Sequence, residues 1–291
     1  MPYQKTEEFC LKSEDFQEIT DLKYVNTQEQ WKLVLTFNNG IKVYNEDGKR
    51  LLVFVKVPEK DQKFYKDPNV QNYFQGITSA LTKDGKELIC VGNSLGEIYF
   101  IENVKESIYT NSVGFSLKNG AAISHLASSN AHNLVFIADN QGFLYIYSLE
   151  SAQTGNLIQT IDLNNLNNPV TSMCVYETSS ACYLFIGDLL GKIRVYDVLT
   201  FTLVIDIAAH FRAVSSLKIN QKLNRFISTS EDTYLNVWKV SVDNGLSLVL
   251  MKSYNSDDKM IMGGAILEKP KFNVMISQYE CDEISVLTAL N

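Results

Sequence analysis

His210, Ser228 and Asp232 are the residues of this chain whose types, taken together, could carry out a reaction. An imidazole between a hydroxyl and a carboxylate is the arrangement of a hydrolase triad, in which the histidine takes the serine proton and the carboxylate orients the ring. The local sequence argues against that chemistry. A nucleophilic serine needs exposure and an oxyanion hole, commonly on a sharp turn of the G-x-S-x-G kind, whereas Ser228 lies inside Phe226-Ile227-Ser228-Thr229-Ser230, which reads as a strand. No catalytic residue is expected.

Other chemistry is thin. His125 and His132 stand seven positions apart without a third ligand, so no metal site is expected. The chain contains no GxGxxG, no P-loop and no HExxH, and no cofactor is expected. The carboxylate pairs Glu7-Glu8, Asp257-Asp258 and Asp282-Glu283 fall in turns or near the termini, where solvation explains them better than acid-base catalysis. Cys10, Cys90, Cys174, Cys182 and Cys281 are odd in number and lack CxxC spacing, which fits reduced thiols. Cys90, Cys174 and Cys182 sit in strand-like runs and read as small core residues.

The elements that must position these side chains are a repeated alternating pattern. Ile41-Lys42-Val43-Tyr44, Ile98-Tyr99-Phe100-Ile101, Leu144-Tyr145-Ile146-Tyr147, Ile193-Arg194-Val195-Tyr196, Leu235-Asn236-Val237-Trp238 and Ile284-Ser285-Val286-Leu287 share one register. Their last residues lie 57, 46, 49, 42 and 49 positions apart, and Gly40, Gly96, Gly142 and Gly191 open or precede four of the runs. A period of that length marks a β-propeller, in which each repeat makes a four-stranded blade. With strands lettered a to d from the innermost outward, alternation and turn residues place the fourth repeat's strands at 170–175, 182–187, 192–196 and 202–207.

The repeats run from residue 44 to 287 without a linker, so one domain over 1–291 is expected. The last repeat reaches only three strands, near 260–267, 272–277 and 283–287. Glu8-Phe9-Cys10-Leu11-Lys12 has no partner of its own, and pairing it beside the final strand would close a six-bladed ring and hide an exposed edge. An incomplete or seven-bladed ring is the alternative.

Composition narrows the function classes. Apolar residues make up 45% of the chain and no apolar run approaches the roughly 18 residues of a spanning helix, so no membrane insertion is expected. The start is too polar for a signal peptide. With 33 acidic against 26 basic residues the net charge is -7, and no stretch gathers Lys and Arg into a basic stripe, so nucleic acid is not an expected partner.

The segments His210-Phe211-Arg212-Ala213-Val214-Ser215-Ser216-Leu217 and Phe226 to Trp238 resemble a WD repeat. The resemblance implies a structural tetrad of His210, Ser228, Asp232 and Trp238, in which each partly buried polar group meets a partner. The other repeats have Ile101, Tyr147, Tyr196 and Leu287 at the Trp position and no matching His, and they are expected to rely on packing alone. Trp31 to Tyr44, Ile89 to Ile101, Ala209 to Val240 and Gly264 to Leu287 are similar to the WD repeat-containing protein 54 family. That likeness covers most of the chain from residue 31 onward. It implies a cytoplasmic, non-enzymatic scaffold or adaptor, in a ciliary or microtubule-associated assembly. The alternative is a regulatory adaptor that binds short peptide motifs.

Loops supply the candidate contacts for a protein partner. Residues 58–74 form a long connection whose three Lys balance one Glu and two Asp, and Phe64, Tyr65, Tyr73 and Phe74 make it sticky. Turns between strands b and c favour Asp, Asn, Gly or Ser, yet Leu95, Leu189 and Leu190 occupy two of them, and Phe211 leads into the fifth repeat. Clustered apolar side chains on one face of loops suggest a protein contact.

Overall fold

The computed structural model describes residues 19–27, 29–37, 40–46, 48–56, 73–105, 108–163, 169–243, 245–256, 258–267, 273–281 and 284–287. Among them there is no helix, and 23 strands form six antiparallel sheets in chain order. The first holds β1 (Ile19–Thr27), β2 (Gln30–Phe37), β3 (Gly40–Tyr44) and β4 (Leu51–Lys56). The second holds β5 (Phe74–Leu81), β6 (Glu87–Asn93), β7 (Glu97–Lys105) and β8 (Ile108–Ser116). The third holds β9 (Ile123–Ser129), β10 (Leu134–Asp139), β11 (Phe143–Ser151) and β12 (Thr154–Asp162). The fourth holds β13 (Val170–Glu177), β14 (Cys182–Asp188), β15 (Lys192–Asp197) and β16 (Thr202–Ala208). The fifth holds β17 (Val214–Asn220), β18 (Arg225–Ser230), β19 (Tyr234–Ser241) and β20 (Ser247–Asn255). The sixth, β21 (Ile261–Leu267), β22 (Asn273–Gln278) and β23 (Ile284–Leu287), has three described strands where the others have four.

The chain packs as two compact units, Met1–Ile123 with Leu149–Gly155 and Ser124–Ser148 with Asn156–Asn291. The repeats run through both. The expected closing strand at residues 8–12 and the connection at 58–72, with Phe64 and Tyr65, lie outside the described residues.

Burial explains why the strands read so differently in sequence. The b strand β10 is covered on both faces, so it is buried at every position and reads as the continuous run Leu134-Val135-Phe136-Ile137-Ala138-Asp139. The d strands β12, β16 and β20 are exposed at most positions and read as mixed. In the first unit the two sheets meet over Val34, Ile41, Val43, Phe74, Ile77, Ile89 and Val91. In the second unit Phe185, Val195, Leu217, Phe226 and Trp238 fill the space between the fourth and fifth sheets, with the Phe185 and Phe226 rings 4.8 Å apart. Gly187 permits that approach, because a Cβ there would lie 2.7 Å from Val214.

The innermost strands are sheet edges, and neighbouring side chains satisfy their outward backbone groups. Leu217 N–H donates to Ser172 Oγ (2.9 Å), Ser216 Oγ to Gly264 O (3.1 Å), and Lys23 Nζ to Ile77 O (2.8 Å). A register shift recurs near the start of five of these strands, between Ile19 and Asp21, Gln75 and Ile77, Val170 and Ser172, Val214 and Ser216, and Ile261 and Gly263. Such bulges kink and twist a strand, which is how an edge is kept from pairing with another chain.

Candidate protein-interaction site

The fourth sheet's b–c turn, Asp188-Leu189-Leu190-Gly191, is held from both sides. Asp188 Oδ1 accepts the N–H groups of Leu190 and Lys192, both at 2.9 Å, and Oδ2 accepts Arg194 Nη1 at 2.8 Å. Both charged side chains are enclosed, Arg194 at 4% and Asp188 at 1% exposure. Gly191 sits at φ +80°, where any side chain would be strained, and a Cβ there would meet His210 O at 2.3 Å. Its carbonyl accepts the N–H groups of Ala209 (3.1 Å) and His210 (3.0 Å), so the turn is clamped to the loop that opens the fifth sheet.

That loop is fixed in turn by Asp232. Phe211 N–H donates to Asp232 Oδ2 (2.9 Å), and Tyr234 N–H to Oδ1 (3.0 Å). The carboxylate also lies 3.1 Å from His210 Nδ1, His210 Nε2 lies 2.8 Å from Ser228 Oγ, and Trp238 Nε1 donates to Ser228 Oγ at 3.0 Å. With the ring neutral and Nδ1–H pointed at Asp232, Nε2 accepts the serine hydroxyl and that oxygen accepts the indole N–H. Every group in the chain of bonds then has a partner. Burial opposes ionisation of Asp232, but the bond from His210 and the two backbone N–H groups outweigh it and hold its carboxyl below the usual range. Ser228 is fully buried, so no substrate can reach its hydroxyl.

The clamps leave apolar side chains outside. Phe211 is 95% exposed, Leu190 60% and Leu189 47%. The surface continues to the sixth sheet: Arg212 Nη1 lies 3.7 Å from Met260 Sδ, and Met260 O accepts Tyr279 N–H at 2.9 Å, with the Tyr279 ring half-exposed in the b–c turn. Sequence reasoning missed Tyr279. An aromatic residue where a turn-former belongs was the signal.

Phe74 corrects an expectation. It is fully buried at the start of β5, edge-on to Tyr99 at 5.2 Å, and is a core residue with no surface to offer a partner. Tyr73 is half-buried and its N–H donates to Ser94 Oγ (3.2 Å), while Leu95 is partly buried in a turn capped by Asn93. Both belong to the first unit, whereas Leu189, Leu190 and Phe211 belong to the second.

The expectation that the other repeats rely on packing alone is also corrected. Asn93, Asp139 and Asp188 each end a b strand and accept two N–H groups of the turn that follows, Leu95 and Glu97, Gln141 and Phe143, and Leu190 and Lys192 respectively. The second residue of the four-residue alternating run on the c strand then props the turn. Tyr145 Oη donates to Asp139 Oδ2 (3.1 Å), Arg194 to Asp188, and Ser285 Oγ to Gln278 Oε1 (3.3 Å). In the first sheet the same position is Lys42, whose ammonium rests 5.0 Å from the Phe37 ring and 5.4 Å from Phe54. The His-centred network of the fifth sheet is therefore one of several polar supports under the turns.

The family model WDR54 matches residues 15–254. The chain belongs to that family. WD repeat-containing protein 54 of Mus musculus is 25% identical over 220 residues, which cover 72% of this chain and 59% of the mouse protein's length. Among solved structures, the Cps50 (Swd1) β-propeller domain of Myceliophteria thermophila superposes with a TM-score of 0.68 at 9% identity, covering 96% of this chain and 85% of that one. A chain of the Mitotic Checkpoint Complex gives 0.65 at 12% identity, covering 98% and 84%. At these identities the likeness shows the fold: the six sheets are propeller blades.

Proposed function

We propose that the chain is a non-enzymatic scaffold that holds a protein partner on the b–c turns of its fourth and sixth blades and the loop that opens the fifth. The observation that carries this reading is the combination of exposure and fixation at Leu189, Leu190 and Phe211. Their backbones are tied down by Asp188, Gly191 and Asp232 while their side chains stand in water. Apolar groups held in place lose little freedom on binding, and burying one such side chain is worth about 1.5–3 kcal/mol. Family membership and the propeller fold support a protein-interaction role, and the burial of Ser228 supports the absence of hydrolase chemistry. A ciliary or microtubule-associated setting rests on the family likeness and is tested by localising the tagged chain in ciliated cells.

The deciding experiment is affinity purification of Leu190→Asp and Phe211→Asp from native cells, read by mass spectrometry beside the unaltered chain. Exposed substitutions shift stability by only about 0.5 kcal/mol, so both variants should fold and lose the main partner. Retention of every partner by folded variants overturns the reading.

A further inference from the structure

Cations scattered through the fifth repeat meet on one face of its blade. Ile227 and Val237 face the sixth blade, where they pack with Ile261, Val274 and Ile276. Arg225 lies two residues before Ile227 on β18 and Lys239 two after Val237 on β19, so strand alternation puts both on that same face. Arg225 and Lys239 are direct cross-strand partners. Lys218 stands opposite Ile227, and Lys252 opposite Val237, which adds one cation on β17 and one on β20.

Two features make this arc unusual. Like charges directly opposite across strands destabilise a sheet, yet Arg225 faces Lys239. No carboxylate among the described residues lies within ion-pair distance of Lys218, Arg225, Lys239 or Lys252. Arg225 Nη1 reaches only Leu223 O at 3.5 Å, Lys252 rests on the Tyr254 ring at 4.6 Å, and the nearby Asp243 accepts from Ser241 Oγ at 3.1 Å. Lys239 and Lys252 are exposed, and Lys218 and Arg225 half-exposed. In a chain of net charge -7, four cations with no ion pair among the described residues are a local exception.

We infer that this arc is a docking surface for an acidic segment of a partner protein, separate from the apolar turns on which the proposed function rests. A carboxylate placed between Arg225 and Lys239 would relieve their repulsion and take a forked bond from the guanidinium. A short acidic segment suits the surface better than nucleic acid. Among the described residues the aromatic beside the arc is Tyr254, whose ring Lys252 already covers, and a long polyanion would have to pass an acidic protein body.

The test is fluorescence anisotropy of a labelled decaglutamate peptide with the full chain, at about 50 mM and about 200 mM salt. The expected result is saturable binding that weakens with salt. Arg225→Gln/Lys239→Gln should lower affinity roughly tenfold or more, equivalent to about 1.4 kcal/mol. Lys83→Gln, which alters a lysine paired with Glu150, should leave it unchanged. Lys218→Gln/Lys252→Gln serves as the second variant should the first fail to fold. Absence of saturable peptide binding, or equal binding by folded variants, overturns the inference. Tighter binding of a single-stranded oligonucleotide of matched charge, or of phosphatidylserine vesicles, overturns the assignment to an acidic polypeptide.

Discussion

Removing either His210 or Asp232 should expose how much the fifth blade depends on its polar chain. The imidazole side chain is 0% exposed and the Asp232 side chain 7%, so water cannot readily replace either partner. Asp232→Ala leaves Nδ1–H of His210 without an acceptor, a loss of about 1–3 kcal/mol for a buried orphan. The N–H groups of Phe211 and Tyr234, which the carboxylate also binds, lie at the exposed rim and turn to solvent at smaller cost. His210→Ala deletes the same bond from the other side and leaves the Ser228 hydroxyl to find a new acceptor. Each variant should therefore lose about 2 kcal/mol in urea unfolding followed by circular dichroism, and the double variant should lose about 1–2 kcal/mol less than the sum. The depressed Asp232 carboxyl adds a pH signature. Its folded pKa lies below the unfolded value, so its contribution is complete above about pH 4 and fades as pH falls through the folded value. The gap between the unaltered chain and Asp232→Ala should close on that acid side. Additive losses, or a gap that persists unchanged in acid, would refute a coupled pair.

The Asp188 support should behave as a buried ion pair. Asp188→Ala leaves the buried Arg194 with only the part-exposed Asp206 carboxylate, 3.6 Å from Nε, and should cost about 3 kcal/mol, while Asp188→Ala with Arg194→Met should recover much of that loss in thermal melts. A double variant as unstable as the single one would show that turn capping, not charge burial, dominates. Burial raises the thiol pKa of Cys90, and it is the largest cause of the rise to about 12 at Cys182. Both should stay protonated at pH 8 and resist iodoacetamide in the native protein, with modification mapped by mass spectrometry. Labelling of either thiol before the protein unfolds would contradict the packing.

The blades were legible in the sequence because alternation and turn chemistry are local. The strands expected at 170–175, 182–187, 192–196 and 202–207 are observed at Val170–Glu177, Cys182–Asp188, Lys192–Asp197 and Thr202–Ala208. The residues of the His-centred network were nameable through their resemblance to a WD repeat, since that pattern fixes residue types at set distances from one strand. What the sequence could not show depends on which residues oppose each other across strands and sheets. Phe74 looked like part of a sticky loop, but β5 begins at that residue and turns its ring against Tyr99. Arg194 reads as one polar position in an apolar run, and its bond to Asp188 exists because the hairpin between β14 and β15 sets their register. Lys218, Arg225, Lys239 and Lys252 look like isolated charges on four separate strands. They share one face because pairing in the fifth blade aligns them, a distance relation that no window along the chain contains.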